Sequence, residues 1–166
     1  MILYHGSSLI IEKPDIFIGR WDVDFGQGFY LTSNKEQAVR WANRRKLQNK
    51  NAKAVLNIYN YNSENSLSIK QFDGYDEDWL EFVIKNRTSK STPVEINFDI
   101  VFGCVADDDV IVAIDRYIEL LQKGHATNNT KLALLDELKF SKPNDQFCFK
   151  TKQSLLYLSF VESKEL

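Results

Sequence analysis

Two glycine-bearing segments constrain this chain more than any other feature. Tyr4-His5-Gly6-Ser7 follows the first apolar residues, and Asp24-Phe25-Gly26-Gln27-Gly28-Phe29-Tyr30-Leu31 comes shortly after. One places a histidine at the end of a short apolar strand, and the other places a tyrosine after a glycine-flanked turn. Two neighbouring strands can bring such side chains to one cleft, and glycines at 26 and 28 let backbone approach a flat ring closely. A dinucleotide held across two strands fits this pairing, so an NAD-using enzyme is the first functional expectation.

Composition removes several other classes. A chain of 166 residues is long enough to bury roughly two thirds of the surface its unfolded form exposes, and a single domain over residues 1–166 is expected. Its 21 basic and 23 acidic residues give a net charge of −2, which offers no bulk attraction to a polyanion. The local cluster Arg40, Arg44, Arg45, Lys46 and Lys50 reads either as a phosphate-meeting patch or as the solvated face of a helix. No basic leader runs into an apolar segment of secretory length, and no stretch of about 18 apolar residues occurs, so a cytoplasmic protein without a membrane segment is expected. Cys104 and Cys148 each sit in a strand-like apolar run and read as buried reduced thiols. With His5 and His125 the only histidines and no paired donors at ligand spacing, no metal site is expected.

Residues 1–4 read as a strand and 29–31 as a second. Ser33-Asn34-Lys35-Glu36 has the form of a capping box, in which serine and glutamate satisfy each other's orphan amides, and predicts a helix over 34–48. Ala38, Trp41 and Ala42 share one face of it, which directs Trp41 back toward the strand of Tyr30. Alternation predicts a strand over 54–61, acids in the first turn favour a helix over 76–87, and residues 100–105 read as a buried strand. Asp107-Asp108-Asp109 lacks the glycine and glutamate of a calcium loop and reads as a helix start. That helix should end at Gly124. A helix over 130–140, a turn at Pro143-Asn144-Asp145, a strand over 146–149 and a closing helix or strand over 151–160 complete the chain.

The order of Tyr4-His5-Gly6-Ser7, then Gly28-Phe29-Tyr30-Leu31 with a helix behind it, then Asn144-Asp145-Gln146-Phe147 opening a late strand resembles the ADP-ribosyltransferase superfamily, in its diphtheria-toxin/PARP-like branch. More narrowly, the chain resembles a bacterial family of stand-alone domains of that kind. The resemblance implies an α+β fold, a split β-core of two small curved sheets with peripheral helices and NAD in the cleft. It implies that His5 holds the adenosine ribose, that the Gly6 backbone clasps the nicotinamide amide, and that Tyr30 packs on the nicotinamide ring. Gln146 takes the third-motif position, where these transferases usually carry glutamate. Ser7, Arg20, Gly28 and Trp41 complete the expected cofactor-binding set. The partners it implies are NAD, a protein or nucleic-acid acceptor, and a small cognate antitoxin protein.

Chemistry explains why such residues belong together. Breaking the bond from nicotinamide to ribose builds positive charge on the sugar, so a site needs an acceptor beside the ribose and a fixed leaving group. A neutral amide at Gln146 accepts a hydroxyl hydrogen bond but supplies no negative charge and takes no proton. Asp145 lies next to it, yet successive strand residues face opposite sides. In the superfamily this chain resembles, polymer formation goes with the glutamate, so the resemblance implies mono-ADP-ribosyl transfer as the leading expectation. The alternative is a non-catalytic NAD or ADP-ribose module in which Gln146→Glu restores turnover. An RNA-directed relative is disfavoured by Tyr30. Bland readings stand beside these: His5 bonding a neighbouring loop, Tyr30 or Trp41 in the core, Gln146 at the surface, and Arg20 in a surface ion pair. The loop from Gly19 to Gly26 is expected to gate the cleft or to touch the acceptor.

Overall fold

The computed structural model describes residues 1–48, 52–63, 66–89, 94, 97–106, 108–138 and 144–166. Lys50, Asp107 and Pro143, named above, and residues 139–140 of the helix expected over 130–140 lie outside the described residues. The chain is α+β. Its elements run β1 (Ile2–Ser7), β2 (Phe29–Leu31), α1 (Lys35–Gln48), β3 (Val55–Tyr61), β4 (Ile69–Gln71), α2 (Glu77–Arg87), β5 (Ile100–Cys104), α3 (Asp108–Gln122), α4 (Asn128–Leu138), β6 (Asp145–Phe149), α5 (Lys152–Leu155) and β7 (Leu158–Glu165).

These strands form two sheets, one ordered β1-β3-β7 and the other β2-β6-β5-β4. Only the β4–β5 pair is parallel. The sheets face each other across a core of Leu3 and Tyr59 from the first and Phe29, Ile100, Phe147 and Phe149 from the second. Alternation along each strand sends the intervening residues outward. On the first sheet, Leu56 and Ile58 meet Ala38 of α1. On the second, Val101 and Cys148 meet Trp79, Leu80 and Val83 of α2 and Val110 and Ile114 of α3. β3 is therefore buried on both faces, more than its alternating pattern suggests. Both cysteines are free and buried.

Most predicted elements form, with differences that have physical causes. β1 runs through His5 and Gly6 to Ser7 because β3 supplies a partner for every residue. Helix α1 is capped by Asn34, whose Oδ1 accepts from the Gln37 amide at 3.2 Å, and not by Ser33. The Ser33 hydroxyl and amide both donate to the Asp145 carboxylate instead. Asp76 caps α2 by accepting from the Trp79 amide at 2.8 Å. Between β1 and β2, Ile16 is buried while Phe17 and Ile18 are exposed. The closing segment is both of its expected forms in turn, α5 capped by Thr151 and then β7 along β3.

Candidate functional site at the split between the sheets

Among the described residues the two sheets meet edge to edge at one bridge, where Tyr4 of β1 and Thr32 exchange backbone hydrogen bonds of 2.8 and 3.0 Å. Beyond that bridge the edges part. Met1 and Tyr61 exchange hydrogen bonds, which fixes the register: odd residues of β1 bond to β3 and even ones face β2. Tyr4 uses this outward edge for Thr32. Gly6, two residues on, points its N–H and C=O to the same edge, where they have no partner among the described residues.

His5 explains why the ladder stops. Its Nδ1 lies 2.7 Å from the Tyr30 carbonyl oxygen, the group a continued ladder would have given to Gly6. A carbonyl only accepts, so Nδ1 carries the proton and Nε2 keeps its lone pair. Burial holds the imidazole below its usual range, against the raising effect of the Tyr30 bond and with Arg45 adding to the shift. The ring also lies 4.7 Å from that of Phe29. Gly6 is required for a second reason: a Cβ there would stand 2.0 Å from the Ala38 carbonyl oxygen and 2.8 Å from the Ala42 nitrogen. α1 therefore packs directly on the strand through Ala38 and Ala42, which are its buried face.

Tyr30 and Gln146 share the face of the second sheet that looks away from Phe29, since Tyr30 is registered with Cys148 and Gln146 lies two residues before it. The Tyr30 ring is half-buried, and its hydroxyl donates to the Gly26 carbonyl at 2.6 Å and accepts from the Phe25 amide at 3.1 Å. Burial pushes the phenol well above its ordinary range, with Cys148 and Asp24 adding to it. Gly26 needs its glycine for a positive φ of 73°. Gly28 is tight against the protein itself, where a Cβ would meet Cys148 Sγ at 2.5 Å and the Phe149 oxygen at 2.6 Å. The close approach these glycines permit is to α2 and β6, and the expectation that they face a flat ring is revised accordingly.

Gln146 is buried. Its Nε2 donates to Asp24 Oδ2 at 3.2 Å and to the Cys104 carbonyl at 3.3 Å. Asp24 is in turn held by Arg87, at 2.8 Å from Nε and 2.6 Å from Nη2, and accepts from the Ala106 amide at 3.0 Å. Sequence reasoning had not assigned Asp24 or Arg87 to the site. The available signal was an aspartate inside an apolar, glycine-rich turn, because buried charge is paired charge. Asp145 faces the other way, accepting from Thr32 Oγ1 at 2.6 Å and from Ser33, as the alternation of strand residues requires.

α1 faces the start of α3 across a cavity of about 240 Å³ that includes Gln37, Arg40, Trp41, Arg44 and Asp108 in its lining and none of His5, Gly6, Tyr30 and Gln146. Trp41 is 38% exposed and forms part of this wall; it does not pack toward the strand of Tyr30. Arg44 lies 4.9 Å over its ring and makes a two-pronged ion pair to Asp108 at 2.9 and 2.7 Å. Gln37 is nearly sealed from solvent; its Nε2 donates to the Asp145 carbonyl, while its Oε1 is buried with no partner. Arg20 stands apart, paired with Asp22 at 2.8 Å and largely exposed, and Ser7 Oγ accepts from the Leu9 amide at 3.3 Å. Among the described residues no group of three or more His, Cys, Asp or Glu side chains is placed to hold a metal ion, and no helix is long and apolar enough to cross a membrane.

A family model described as "Protein of unknown function (DUF3990)" matches residues 1–160. No curated protein and no solved structure matches the chain.

Proposed function

From the premise that this chain belongs to the DUF3990 family, we propose that it is an NAD-dependent mono-ADP-ribosyltransferase that works at the split between β1 and β2. The observation that carries the reading is the open edge at Gly6. A backbone N–H and C=O side by side on an unpaired strand edge match the complementary acceptor and donor of a primary carboxamide, the distinguishing group of nicotinamide. The two sheets, parted beyond one bridge and flanked by helices, agree with the split β-core that the resemblance implies.

Residues of the α1 cavity, whose lining includes neither Gly6 nor His5, have chemistry suited to the rest of such a ligand. Trp41 offers an aromatic face worth about 0.5–1.5 kcal/mol beyond burial. Arg44 is the cation best placed for a pyrophosphate. Its present partner, Asp108, is 70% exposed, and pairs of that kind contribute about 0–1 kcal/mol, so a phosphate can replace it. The cavity is below the roughly 300–1,000 Å³ of ordinary ligand sites, and releasing Arg44 from Asp108 is the movement that would enlarge it. When bound, NAD supplies the ribose carbon to which an acceptor adds as nicotinamide leaves. His5, neutral and fixed through Nδ1, presents Nε2 as a hydrogen-bond acceptor for a ribose hydroxyl.

One observation favours a second reading, a module that binds NAD or ADP-ribose without turning it over. The amide nitrogen of Gln146 is bound within the fold, and the nearest carboxylate, Asp24, already faces Arg87. The resemblance alone extends the proposal to a protein or nucleic-acid acceptor, a small cognate antitoxin protein as partner, and action in the cytoplasm.

The test is nicotinamide release and NAD binding by the purified chain, with and without lysate as acceptor, beside Trp41→Ala. Trp41 is chosen because its loss leaves the core intact. Release that falls about 2–10-fold in the variant, the range a lost stacking contact implies, is expected. Binding without release selects the second reading, and absence of both rejects the proposal.

A further inference from the structure

The amide of Gln146 has only one chemically sensible orientation. Both partners of its Nε2, the Asp24 carboxylate at 3.2 Å and the Cys104 carbonyl at 3.3 Å, are acceptors without a hydrogen to give. Reversing the amide would set oxygen against oxygen twice, so the network fixes which end is nitrogen. Oε1 is then the outward end: it has no partner among the described residues, and it is not among the sealed, unpartnered atoms. Gln146 as a whole is 6% exposed.

We propose that Asp24 and Gln146 act as one unit, in which the Asp24 carboxylate carries the charge and positions Gln146, and Gln146 presents an acceptor oxygen to the ligand. Glutamine is then the residue this corner demands and not a glutamate that lost its charge. A carboxylate at position 146 would face the Asp24 carboxylate and the Cys104 carbonyl with no hydrogen between them, and two carboxylates in contact cannot both ionise without penalty. Arg87 is already engaged with Asp24 from α2 and lies 3.8 Å from Asp115 of α3. It is therefore not free to neutralise a second carboxylate. The other titratable groups at this corner are Cys104 of β5, Cys148 of β6 and Tyr30 of β2, all raised by burial, and Lys150, which burial lowers. Lys150 is the cation among them, and its ammonium is already engaged by the Phe25 carbonyl. Asp24 is a positioning residue in this account, acting on the ligand through Gln146.

The inference rests on the NAD reading for its ligand but not for its test, which begins with folding. Gln146→Glu is nearly isosteric, so repulsion is the change it introduces. We expect its melting temperature at pH 7.5 to fall by about 5–10 °C, the shift that a few kcal/mol gives in a chain of this size. Much of that loss should return at pH 5, where a protonated carboxyl again donates to Asp24, while the wild type gains nothing on acidification. Asp24→Asn combined with Gln146→Glu should be more stable at pH 7.5 than the sum of its single variants requires. Equal melting of Gln146→Glu and wild type at both pH values overturns the proposal. In nicotinamide release, Gln146→Glu should show no gain over the wild type, and a gain of tenfold or more would also overturn it. A wild type that neither binds nor cleaves NAD refutes the functional reading and leaves the folding arm to decide this one.

Discussion

The two rims of the split are built in opposite ways. On the β2 side, the turn of residues 24–26 has its polar groups engaged from several directions. Asp24 meets Arg87, Ala106 and Gln146, Lys150 donates to the Phe25 carbonyl, and the Tyr30 hydroxyl bridges Phe25 and Gly26. On the β1 side, the Gly6 backbone donor and acceptor have no partner among the described residues, and the His5 side chain reaches across to the Tyr30 carbonyl. A rim with every group engaged resists rearrangement, while a rim with unpaired groups awaits a partner. The difference teaches that the polar groups of the β2 rim are committed within the fold, while the backbone edge of β1 at Gly6 is not. The residues that sequence motifs make most conspicuous on the other rim, Tyr30 and Gly28, do much of their work in holding that rim still.

The sharpest way to break this contrast is at Gly6, because the open edge exists only while α1 lies directly on the strand. In Gly6→Ala the new methyl meets helix backbone at 2.0 and 2.8 Å, and helix backbone cannot swing aside as a side-chain tip can. A loss of about 3 kcal/mol or more is expected in denaturant unfolding. Gly74→Ala, where a Cβ meets nothing within 4 Å, should stay within about 0.5 kcal/mol of wild type. Equal losses at both positions would mean that the close seat of α1 on β1 is not what holds the edge.

On the engaged rim, Tyr30→Phe keeps the ring and removes the hydroxyl alone. The Phe25 amide and Gly26 carbonyl lose their partner, which should cost about 1–3 kcal/mol. The loss should appear as faster amide exchange across residues 24–26, with NAD binding changed far less than stability. An unchanged exchange rate there would show that the turn does not depend on Tyr30, and the tyrosine would return to being chiefly a ligand contact.

How much of this was legible in the sequence follows the range of the forces involved. Local signals read well: Asp76 begins α2, Gly124 ends the run of α3 with a φ of 71°, and alternation marks β3. The capping residue of α1 was misplaced because the competitor for Ser33, Asp145, lies more than a hundred residues away in the chain and leaves no local trace. His5, Gly6, Tyr30 and Gln146 were all singled out, and the structure brings His5 and Gly6 to one side of the split and Tyr30 and Gln146 to the other. Which groups were engaged and which free could not be read, since that depends on the Asp24–Arg87 pair and on the parting of two strand edges. Arg20 shows the converse: a cation in a promising loop is paired with its neighbour Asp22, a contact its spacing permitted all along.

The smallest expected effect is a slope with pH, and it probes the one side chain that joins the two rims. The His5 imidazole is depressed below its usual range by burial. An unfolded chain therefore takes up a proton at position 5, near the ordinary histidine value of about 6.5, before the folded chain does. Between that value and the lower folded one, the unfolded state binds more protons, so stability rises with pH there and is complete above it. Acidification from pH 7.5 to 5 should destabilise the wild type through this residue, and His5→Gln, which keeps an N–H to offer Tyr30, should show a flatter profile over the same window. Parallel profiles for the two proteins would mean that the imidazole is free to charge in the folded state. It could then not be the neutral tie between the rims, and the lone pair assigned to Nε2 would be lost with it.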